Sequence, residues 1–477
     1  MFSFHSIKDY HADLLHGTAT CVEAVQFYLQ QIDNQKHLNA FLEIYADEAL
    51  QRAAQLDEQR NGQVINGKLH GVVVGIKDVI CYKNHHVSAS SKILEGFTSI
   101  YNATVVDRML AEGAIIIGRH NCDEFAMGSS NENSAYGKVL NALDNTRVPG
   151  GSSGGSAVAV QADMNMISLG SDTGGSVRQP ADYCGIVGMK PSYGRISRYG
   201  LIAYASSFDQ IGIFAKTVAD VSLILDVIAG EDEWDSTVSD SSLNQQKDTS
   251  LSVKKKIGYF NQFLNHPSLD PEMAASFFSF TKNLTANGYE VQAIDFELLD
   301  YIVPVYYILT TAEASSNLSR YDGVKFGLRK ADKNSTLTDL YNRTRSEGFG
   351  KEVQRRILLG TYVLSEGYYD AYFTKAQKVR RLLTDKIKEI FLSFDAIILP
   401  TVPSPAFHFG EKADIVEMYL TDIYTVFANL TVIPAISLPL FIHSNTMPFG
   451  LQVMSAYDND LYLLNLSEEL MQMRGRA

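Results

Sequence analysis

Two short runs of glycine and serine are the residues of this chain that could build a catalytic site. Residues 150–156 have the sequence GGSSGGS, and residues 171–176 have the sequence SDTGGS. The first run leads into a predicted helix and the second follows a predicted strand, and free backbone N–H groups gather at helix starts. Glycines also let the backbone approach a ligand closely. One such run is typical of a flexible loop, whereas two indicate an anion or oxyanion site.

Lys77 is the candidate base for these serines. It follows the mostly apolar segment 72–76 and precedes Asp78. Most lysines at strand ends reach solvent, but a lysine held away from water loses its proton more readily. A neutral amine can then accept the proton of a serine hydroxyl, which is a weak nucleophile without a base.

Other catalytic motifs fit the sequence poorly. Residues 150–154 match GxSxG, but residues 145–150, NTRVPG, do not provide the strand that a nucleophile elbow requires. Residues 279–282 match SxxK without a KTG or SDN companion. The glycine runs lack a Walker A lysine and the GxGxxG pattern. The eleven histidines show no metal-binding spacing, so no metal site is predicted, and none stands out as the base of a Ser-His-Asp triad.

Composition excludes several protein classes. The 477 residues contain 34 glycines, 12 prolines and 45% hydrophobic residues, which excludes collagen-like and disordered chains. A net charge of −13 makes the general surface a poor support for nucleic acid. Four cysteines without CxxC spacing favour a reducing compartment. The N-terminus lacks a signal-peptide pattern, and the longest apolar run, 432–442, is interrupted by prolines. We therefore predict a cytoplasmic protein without a membrane span.

The elements that must position these residues alternate between helices and strands, which favours an α/β architecture with helices covering a sheet. The polar stretch 235–253 is predicted to be a surface loop. Pattern alone leaves open whether it separates two domains. Apolar spacing predicts helices within 1–60, 104–112, 157–162, 217–230, 270–287, 374–393 and 458–473, and strands within 69–80, 114–117, 166–169, 256–260, 289–296, 396–399 and 450–453.

Three sequence blocks resemble the signatures of the amidase signature family. They are GIKD at 75–78, GGSSGGS at 150–156 and GSDTGGSVRQP at 170–180, and the intervals between them also fit. The resemblance implies an α/β fold with one large amidase-signature domain over residues 1–477. Its central β-sheet would be mixed and flanked by helices, with 235–253 as a surface loop.

The family resemblance also implies a Ser-cisSer-Lys triad. Ser176 would be the acylated nucleophile, and Ser152 would relay its proton to Lys77. The peptide bond between Gly151 and Ser152 would be cis. The oxyanion hole would consist of the backbone N–H groups of Thr173, Gly174, Gly175 and Ser176, in agreement with the absence of side chains on the two glycines.

Further blocks resemble the glutamine-hydrolysing subunits of tRNA-dependent amidotransferases. They run from NCDEFAMGSSNENSAYG at 121–137 to NLTVIPAISLP at 429–439, and the likeness extends from about residue 5 to 470. Two departures are Cys122, where methionine is usual, and the 235–253 loop. The resemblance implies that ammonia from glutamine passes to a B subunit. There ATP and Mg²⁺ would support conversion of Glu-tRNA(Gln) to Gln-tRNA(Gln). A C subunit would join the two, tRNA would be bound mainly by B, and this chain would hold no cofactor.

The glutamine-binding residues implied by the resemblance are Tyr307, Asp422 and one arginine of the pair Arg355-Arg356. Helical phasing of about 100° per residue distinguishes the two arginines. It groups Arg356 with the less polar side of its helix and Arg355 with the charged side. A substrate carboxylate in a closed pocket requires the inward residue, so we predict Arg356.

Two other functions remain open at this stage. One is a free-standing amidase that acts on another primary amide. The other is a catalytically silent scaffold, although the presence of Lys77, Ser152 and Ser176 argues against it. Copurification of a tRNA-binding partner would separate the amidotransferase component from the free-standing amidase.

Overall fold

The computed structural model describes residues 2–60, 64–238, 255–412 and 414–474. Most of the predicted loop therefore lies outside the described residues, at 239–253. At the start of that stretch Asp235 is buried and accepts hydrogen bonds from the Arg198 guanidinium, so this part is anchored to the body of the protein.

One sheet of eleven strands organises the described residues. Apolar and β-branched residues dominate most strands, and the central ones are buried along their whole length because helices cover both faces. The strands are β1 (Phe41–Ile44), β2 (Val73–Lys77), β3 (Ile115–His120), β4 (Ile167–Asp172), β5 (Val187–Lys190), β6 (Gln210–Ala215), β7 (Lys256–Phe260), β8 (Glu290–Ile294), β9 (Ala396–Pro400), β10 (Ala435–Ile442) and β11 (Pro448–Met454).

The strand order is β1-β3-β2-β4-β6-β5-β10-β11-β9-β7-β8. Strand β2 runs parallel to β3 and β4, and β7 runs parallel to β8 and β9. The remaining pairs are antiparallel. The predicted mixed sheet is therefore confirmed.

Sixteen helices flank the sheet within the described ranges. Several carry side-chain caps, such as Thr217, whose hydroxyl accepts a hydrogen bond from the Asp220 N–H. The helices are α1 (Ile7–His16), α2 (Cys21–Asn34), α3 (Ala46–Arg60), α4 (Thr104–Ala111), α5 (Gly154–Gln161), α6 (Arg178–Cys184), α7 (Val218–Ile228), α8 (Asn261–Leu264), α9 (Pro271–Ala286), α10 (Leu299–Asn317), α11 (Leu337–Gly348), α12 (Lys351–Val363), α13 (Lys375–Ile390), α14 (Ile415–Leu420), α15 (Val426–Leu430) and α16 (Asp460–Met471).

The edge formed by the carboxyl ends of β2, β3 and β4 positions the candidate catalytic residues. Lys77 is the last residue of β2, and Asp172 is the last residue of β4. Because the strands are parallel, these two ends lie at the same edge of the sheet. Strand β4 leads into the 173–177 loop and then α6, while the 150–153 loop leads into α5. The two glycine-rich runs therefore lie close together, next to the Lys77 side chain.

The described residues contain no helix long and apolar enough to cross a membrane. All four cysteines are buried as free thiols. Within the described ranges, no group of three or more histidine, cysteine or carboxylate side chains is arranged to hold a metal ion.

Candidate active site

The amine of Lys77 is fully buried and surrounded by serine hydroxyls. Its Nζ donates hydrogen bonds to Ser152 Oγ at 2.7 Å, Ser153 Oγ at 2.8 Å and Ser171 Oγ at 2.9 Å. The Ser153 hydroxyl donates its own hydrogen to the Ser171 carbonyl at 3.1 Å, so Ser153 can only accept from Lys77. A neutral amine has two hydrogens and one lone pair. Ser153 and Ser171 can take the hydrogens, which leaves the lone pair for Ser152.

Burial lowers the pKa of Lys77 to about 8, although the carboxylates of Asp123 and Asp172 act in the opposite direction. At pH 7 roughly a tenth of such amines are neutral. Lys77 can therefore serve as a proton acceptor close to neutral pH, which an ordinary lysine cannot.

The loop that carries Ser152 is held by close backbone packing. The peptide bond between Gly151 and Ser152 is cis, as predicted. The Ser152 carbonyl accepts a hydrogen bond from the Asp123 N–H at 3.0 Å. A Cβ atom on Gly151 would lie 2.2 Å from Asp123 Oδ2, so only glycine fits at this position.

The loop that carries Ser176 is organised around the buried Asp172. Its carboxylate accepts from the Gly175 N–H at 2.9 Å and the Val177 N–H at 3.2 Å, and it forms a two-point pair with Arg178 at 3.0 and 3.1 Å. Burial raises the pKa of Asp172, but the charge and hydrogen bonds of Arg178 outweigh it, and the pKa falls to about 2. Asp172 is therefore ionised at any working pH.

Arg178 in turn fastens this loop to the C-terminal part of the chain. Its guanidinium donates to the Thr425 carbonyl at 2.8 Å, to Asn429 Oδ1 at 2.6 Å and to Gln452 Oε1. The Thr425 hydroxyl donates to the Gly174 carbonyl at 2.7 Å. The position of the Ser176 loop thus depends on α15 and β11.

Glycine is required at both positions before Ser176. A Cβ atom on Gly174 would lie 2.3 Å from the Tyr306 hydroxyl oxygen, and one on Gly175 would lie 2.2 Å from Thr425 Oγ1. Gly175 also has φ +126°, a conformation that side-chain-bearing residues rarely adopt. Ser176 itself is 8% exposed, and its carbonyl accepts from the Ser153 N–H at 3.3 Å.

The four predicted oxyanion donors are not equivalent in the structure. The Gly175 N–H is engaged by Asp172. In the described part of the chain, no acceptor pairs with the backbone N–H groups of Thr173, Gly174 and Ser176. These three remain the candidates for binding an oxyanion, and Gly175 instead shapes the loop.

The three predicted glutamine-binding residues also come together. The Tyr307 hydroxyl donates to Asp422 Oδ2 at 2.8 Å, and the Ser129 hydroxyl donates to Asp422 Oδ1 at 2.8 Å. Burial raises the pKa of Asp422 to about 6, and these hydrogen bonds limit the rise. The Arg356 guanidinium lies 5.4 Å from the Tyr307 ring.

Arg356 faces inward and Arg355 outward, as the helical phasing predicts. Arg356 is 4% exposed, and its Nε and Nη1 donate to Glu352 Oε1 at 2.8 Å and to the Tyr204 hydroxyl at 2.7 Å. The Arg355 side chain is 45% exposed. Next to these arginines is a cavity of about 270 Å³, lined by Gly128, Ser129, Ser130, Glu132, Asn133, Glu352, Arg355, Arg356, Lys412, Asp414, Met418 and Tyr419.

Helix α10 and the segment 422–425 connect two parts of the site. One part is the serine–lysine cluster, formed by Lys77, Ser152, Ser153, Ser171 and Ser176. The other is the charged pocket, formed by Tyr307, Arg356 and Asp422. Tyr306 packs against Gly174, while its neighbour Tyr307 binds Asp422. Asp422 and Thr425 are three residues apart, and Thr425 binds the Gly174 carbonyl. The serine–lysine cluster and the charged pocket thus share their supporting elements, which suits a substrate with an amide at one end and charges at the other.

Sequence reasoning missed several residues of the site. Ser153 and Ser171 lie inside the glycine–serine runs and could have been included on that ground. Glu352 is four residues before Arg356, a spacing that brings charges together on a helix. Ser129, Tyr204 and Tyr419 are distant in sequence from their partners, and no local pattern marks them.

Comparison with known proteins gives a consistent result. The sequence profile of the Amidase family matches residues 23–464. The A subunit of glutamyl-tRNA(Gln) amidotransferase from Chlorobaculum tepidum is 48% identical over 472 residues, which cover 98% of both chains. The A subunit from Koribacter versatilis is 49% identical over 454 residues, which cover 94% of both chains.

Among solved structures, that of the A subunit of glutamyl-tRNA(Gln) amidotransferase from Thermotoga maritima is similar to this chain. The TM-score is 0.77 and the sequence identity 36%, and the match covers 97% of this chain and 93% of the other. A second structure, described as an amidase, has a TM-score of 0.83 and 28% identity, with coverage of 99% and 100%.

Proposed function

The chain belongs to the amidase family, and we propose that it is the glutaminase subunit of a glutamyl-tRNA(Gln) amidotransferase. The observation that carries this proposal is the fully buried Lys77 amine, bonded to the Ser152 hydroxyl at 2.7 Å beside the Ser176 loop. The near full-length similarity to subunits of that enzyme supports the choice. The amidase domain in this proposal comprises residues 1–477.

The reaction begins with neutral Lys77. Its amine accepts the proton of Ser152 Oγ as Ser152 accepts the proton of Ser176 Oγ. Ser176 Oγ attacks the side-chain carbonyl carbon of glutamine, and the carbonyl electron pair moves onto oxygen. When the tetrahedral intermediate collapses, the C–N bond breaks and the proton returns through Ser152 to the departing nitrogen. Ammonia leaves, and a glutamyl ester remains on Ser176. Water then attacks the ester by the same proton transfers and releases glutamate.

The negative oxygen of the intermediate is stabilised by the N–H groups of Thr173, Gly174 and Ser176. Such donors lower the barrier because they are oriented before the charge develops. The Gly175 N–H is held by Asp172 at 2.9 Å, so in this proposal it acts by fixing the loop rather than by binding the substrate.

The charged pocket selects glutamine by its α-carbon groups. Asp422 binds the α-ammonium group, Arg356 binds the α-carboxylate, and Tyr307 supports Asp422 through its hydroxyl. Charge-assisted hydrogen bonds of this kind contribute about 1.5–3 kcal/mol each. The pocket therefore orients the side-chain amide toward Ser176 and disfavours amides without these groups.

The partners follow from the same proposal. Ammonia passes to a B subunit that binds ATP, Mg²⁺ and most of the tRNA, and converts Glu-tRNA(Gln) to Gln-tRNA(Gln). A C subunit joins this chain to B, the complex works in the cytoplasm, and this chain needs no cofactor. The acidic net charge of −13 fits a subunit that leaves tRNA binding to its partner.

The deciding experiment measures glutamine hydrolysis and Gln-tRNA(Gln) formation by the complex assembled with B and C subunits. Ser176→Ala should lower glutamine hydrolysis by about 1,000-fold or more, while ammonium chloride should still support transamidation. Ser279→Ala, which changes the exposed serine of the SxxK sequence, is the matched control and should keep full activity.

Two outcomes would contradict the proposal. If Ser176→Ala retained near-normal glutamine hydrolysis, Ser176 would not be the nucleophile. If the wild-type complex cleaved another primary amide by Ser176 but left glutamine intact, the chain would be a different amidase of the same family.

A further inference from the structure

The charged pocket has two halves, with Arg356 on one side and Tyr307 with Asp422 on the other. Glu352 contacts Arg356 directly and reaches the second half through Tyr419. It lies in the first turn of α12, where a carboxylate is stabilised by the free N–H groups. Its Oε1 accepts from Arg356 Nε at 2.8 Å and from the Tyr419 hydroxyl at 3.1 Å. Its Oε2 pairs with the exposed Arg355.

The contact with Arg356 fixes how the guanidinium is presented. Nε is held by Glu352, and Nη1 by the Tyr204 hydroxyl. Among the described residues no acceptor is present for Nη2, and Arg356 lines the 270 Å³ cavity. Glu352 and Tyr204 therefore keep two of the three nitrogens and leave the third for a ligand carboxylate.

The contact with Tyr419 reaches the other half of the pocket. The rings of Tyr419 and Tyr307 are stacked with their centroids 3.9 Å apart and an interplanar angle of 17°. The Tyr307 hydroxyl donates to Asp422. A shift of Tyr419 would thus move Tyr307 and its bond to the candidate ammonium-binding carboxylate.

The negative charge of Glu352 also offsets part of the positive charge of the neighbouring arginines. Burial raises the pKa of Glu352, but Arg356 and Arg355 outweigh it and the pKa is lowered, so the side chain is ionised. Its single negative charge is shared by the two guanidinium groups of Arg355 and Arg356 before substrate binds. Recognition of a carboxylate by Arg356 then depends on the orientation of the guanidinium as well as on its charge.

We propose that Glu352 is a positioning residue that sets substrate specificity by orienting Arg356 and Tyr419 toward the two α-carbon groups of the amino-acid amide. This inference rests on the proposed glutaminase function. It assigns Glu352 to substrate binding and not to the chemical step at Ser176, because none of its hydrogen bonds involves the serine–lysine cluster.

The test compares Glu352→Ala, Glu352→Gln and the control Arg381→Ala in the assembled complex. Glu352→Ala should raise KM for glutamine about tenfold or more and change kcat less than about threefold. Glu352→Gln keeps an oxygen for Arg356 and Tyr419, so its KM should lie between those of the wild type and Glu352→Ala. Arg381→Ala removes an exposed arginine whose carboxylate partner, Asp385, lies on the same helix, and it should change KM less than about threefold.

A second substrate separates positioning from general damage. Butyramide has the glutamine side chain but neither α-carbon group, so its kcat/KM should be the same in Glu352→Ala and in the wild type. If butyramide is cleaved too slowly to measure, the kcat for glutamine gives the same information about the chemical step.

The inference is overturned if Glu352→Ala leaves KM unchanged, if it lowers kcat as much as it raises KM, or if Arg381→Ala has an equal effect. These results are distinct from failure of the proposed function, in which the wild-type complex itself would not hydrolyse glutamine.

Discussion

The Lys77 amine lies 2.7 Å from the hydroxyl oxygen of Ser152 and has no surface exposed to solvent. Two further serines occupy the remaining positions around the same nitrogen. A protonated amine could donate to all three hydroxyls, and a neutral amine could donate to two and accept from Ser152. Loss of the proton therefore requires no rearrangement of heavy atoms, which is the property needed in a general base.

Replacing Lys77 by arginine should be almost as harmful as replacing it by alanine. Arginine keeps the positive charge but remains protonated at any accessible pH, so it cannot accept the Ser152 proton. We expect both variants to lose about 1,000-fold or more in kcat for glutamine. Steady-state kinetics of the two variants side by side would check this, and a substantially active Lys77→Arg enzyme would refute the role of Lys77 as a base.

The pH dependence of kcat/KM for glutamine should reveal two titrating side chains. Lys77, with its pKa lowered by burial to about 8, must be neutral, so activity should rise tenfold per pH unit up to about pH 8. Asp422, with its pKa raised by burial to about 6, must be ionised to bind the α-ammonium group, so the slope should become steeper below about pH 6. A butyramide profile should lack the second group. A glutamine profile that is flat between pH 6 and 8 would contradict the assignment of Lys77.

Arg356→Ala should lower kcat/KM for glutamine by about 10- to 150-fold, because it removes a charge-assisted hydrogen bond of about 1.5–3 kcal/mol to the α-carboxylate. The neighbouring Arg355→Ala is the matched control, since its side chain is 45% exposed, and it should have little effect. A harmless Arg356→Ala together with a severely impaired Arg355→Ala would reverse the assignment of the two arginines.

Asp422→Ala should weaken glutamine hydrolysis to a similar extent, because it removes the proposed partner of the α-ammonium group. The loss should appear in KM more than in kcat, since Asp422 contacts Tyr307 and Ser129 but none of the serine–lysine cluster. Asp422→Asn keeps the shape of the side chain without its charge, and a wild-type KM in that variant would argue against ammonium binding here.

Asp172→Asn should destabilise the folded protein as well as inactivate it. It leaves the buried charge of Arg178 without its partner, a change that costs about 3–5 kcal/mol in proteins. The pKa of Asp172 is lowered to about 2 by Arg178 against the opposing effect of burial. The pair therefore stabilises the fold above about pH 4 and loses that contribution as the pH falls toward 2.

Thermal unfolding of Asp172→Asn, compared with the wild type at pH 7, would measure this. The control is Asp226→Asn, which breaks the surface pair with Lys68 and should leave the apparent Tm unchanged within error. Equal melting temperatures for Asp172→Asn and the wild type would show that the buried pair does not anchor the loop.

The residues nearest the chemistry could be identified from sequence because they lie in continuous runs. Lys77 ends an apolar strand, and Ser152 and Ser176 follow pairs of glycines whose need for close packing the structure explains. The choice of Arg356 over Arg355 required only the geometry of a helix. Strands such as β2, β4 and β7 were predicted because each contains a short apolar stretch.

The residues and elements that were not predicted depend on contacts between distant parts of the chain. Ser129 and Asp422 are separated by 293 residues, and Tyr204 and Arg356 by 152. Strand β10 escaped prediction because Pro439 interrupts the apolar run, and the structure accommodates that residue within a shift of register between Leu438 and Phe441. The hydrogen bond from the Gly175 N–H to Asp172 could not be predicted either, because only the folded loop brings the two groups together.

The hydrogen bonds of Arg178 connect the Ser176 loop to residues that are synthesised near the end of translation. A growing polypeptide that ends before residue 425 already contains Lys77, Ser152 and Ser176. It still lacks Thr425, Asn429 and Gln452, the residues that fasten the Ser176 loop through Arg178. Nascent and prematurely terminated chains should therefore leave cellular glutamine intact, and free ammonia would be formed only after nearly the whole polypeptide has been translated.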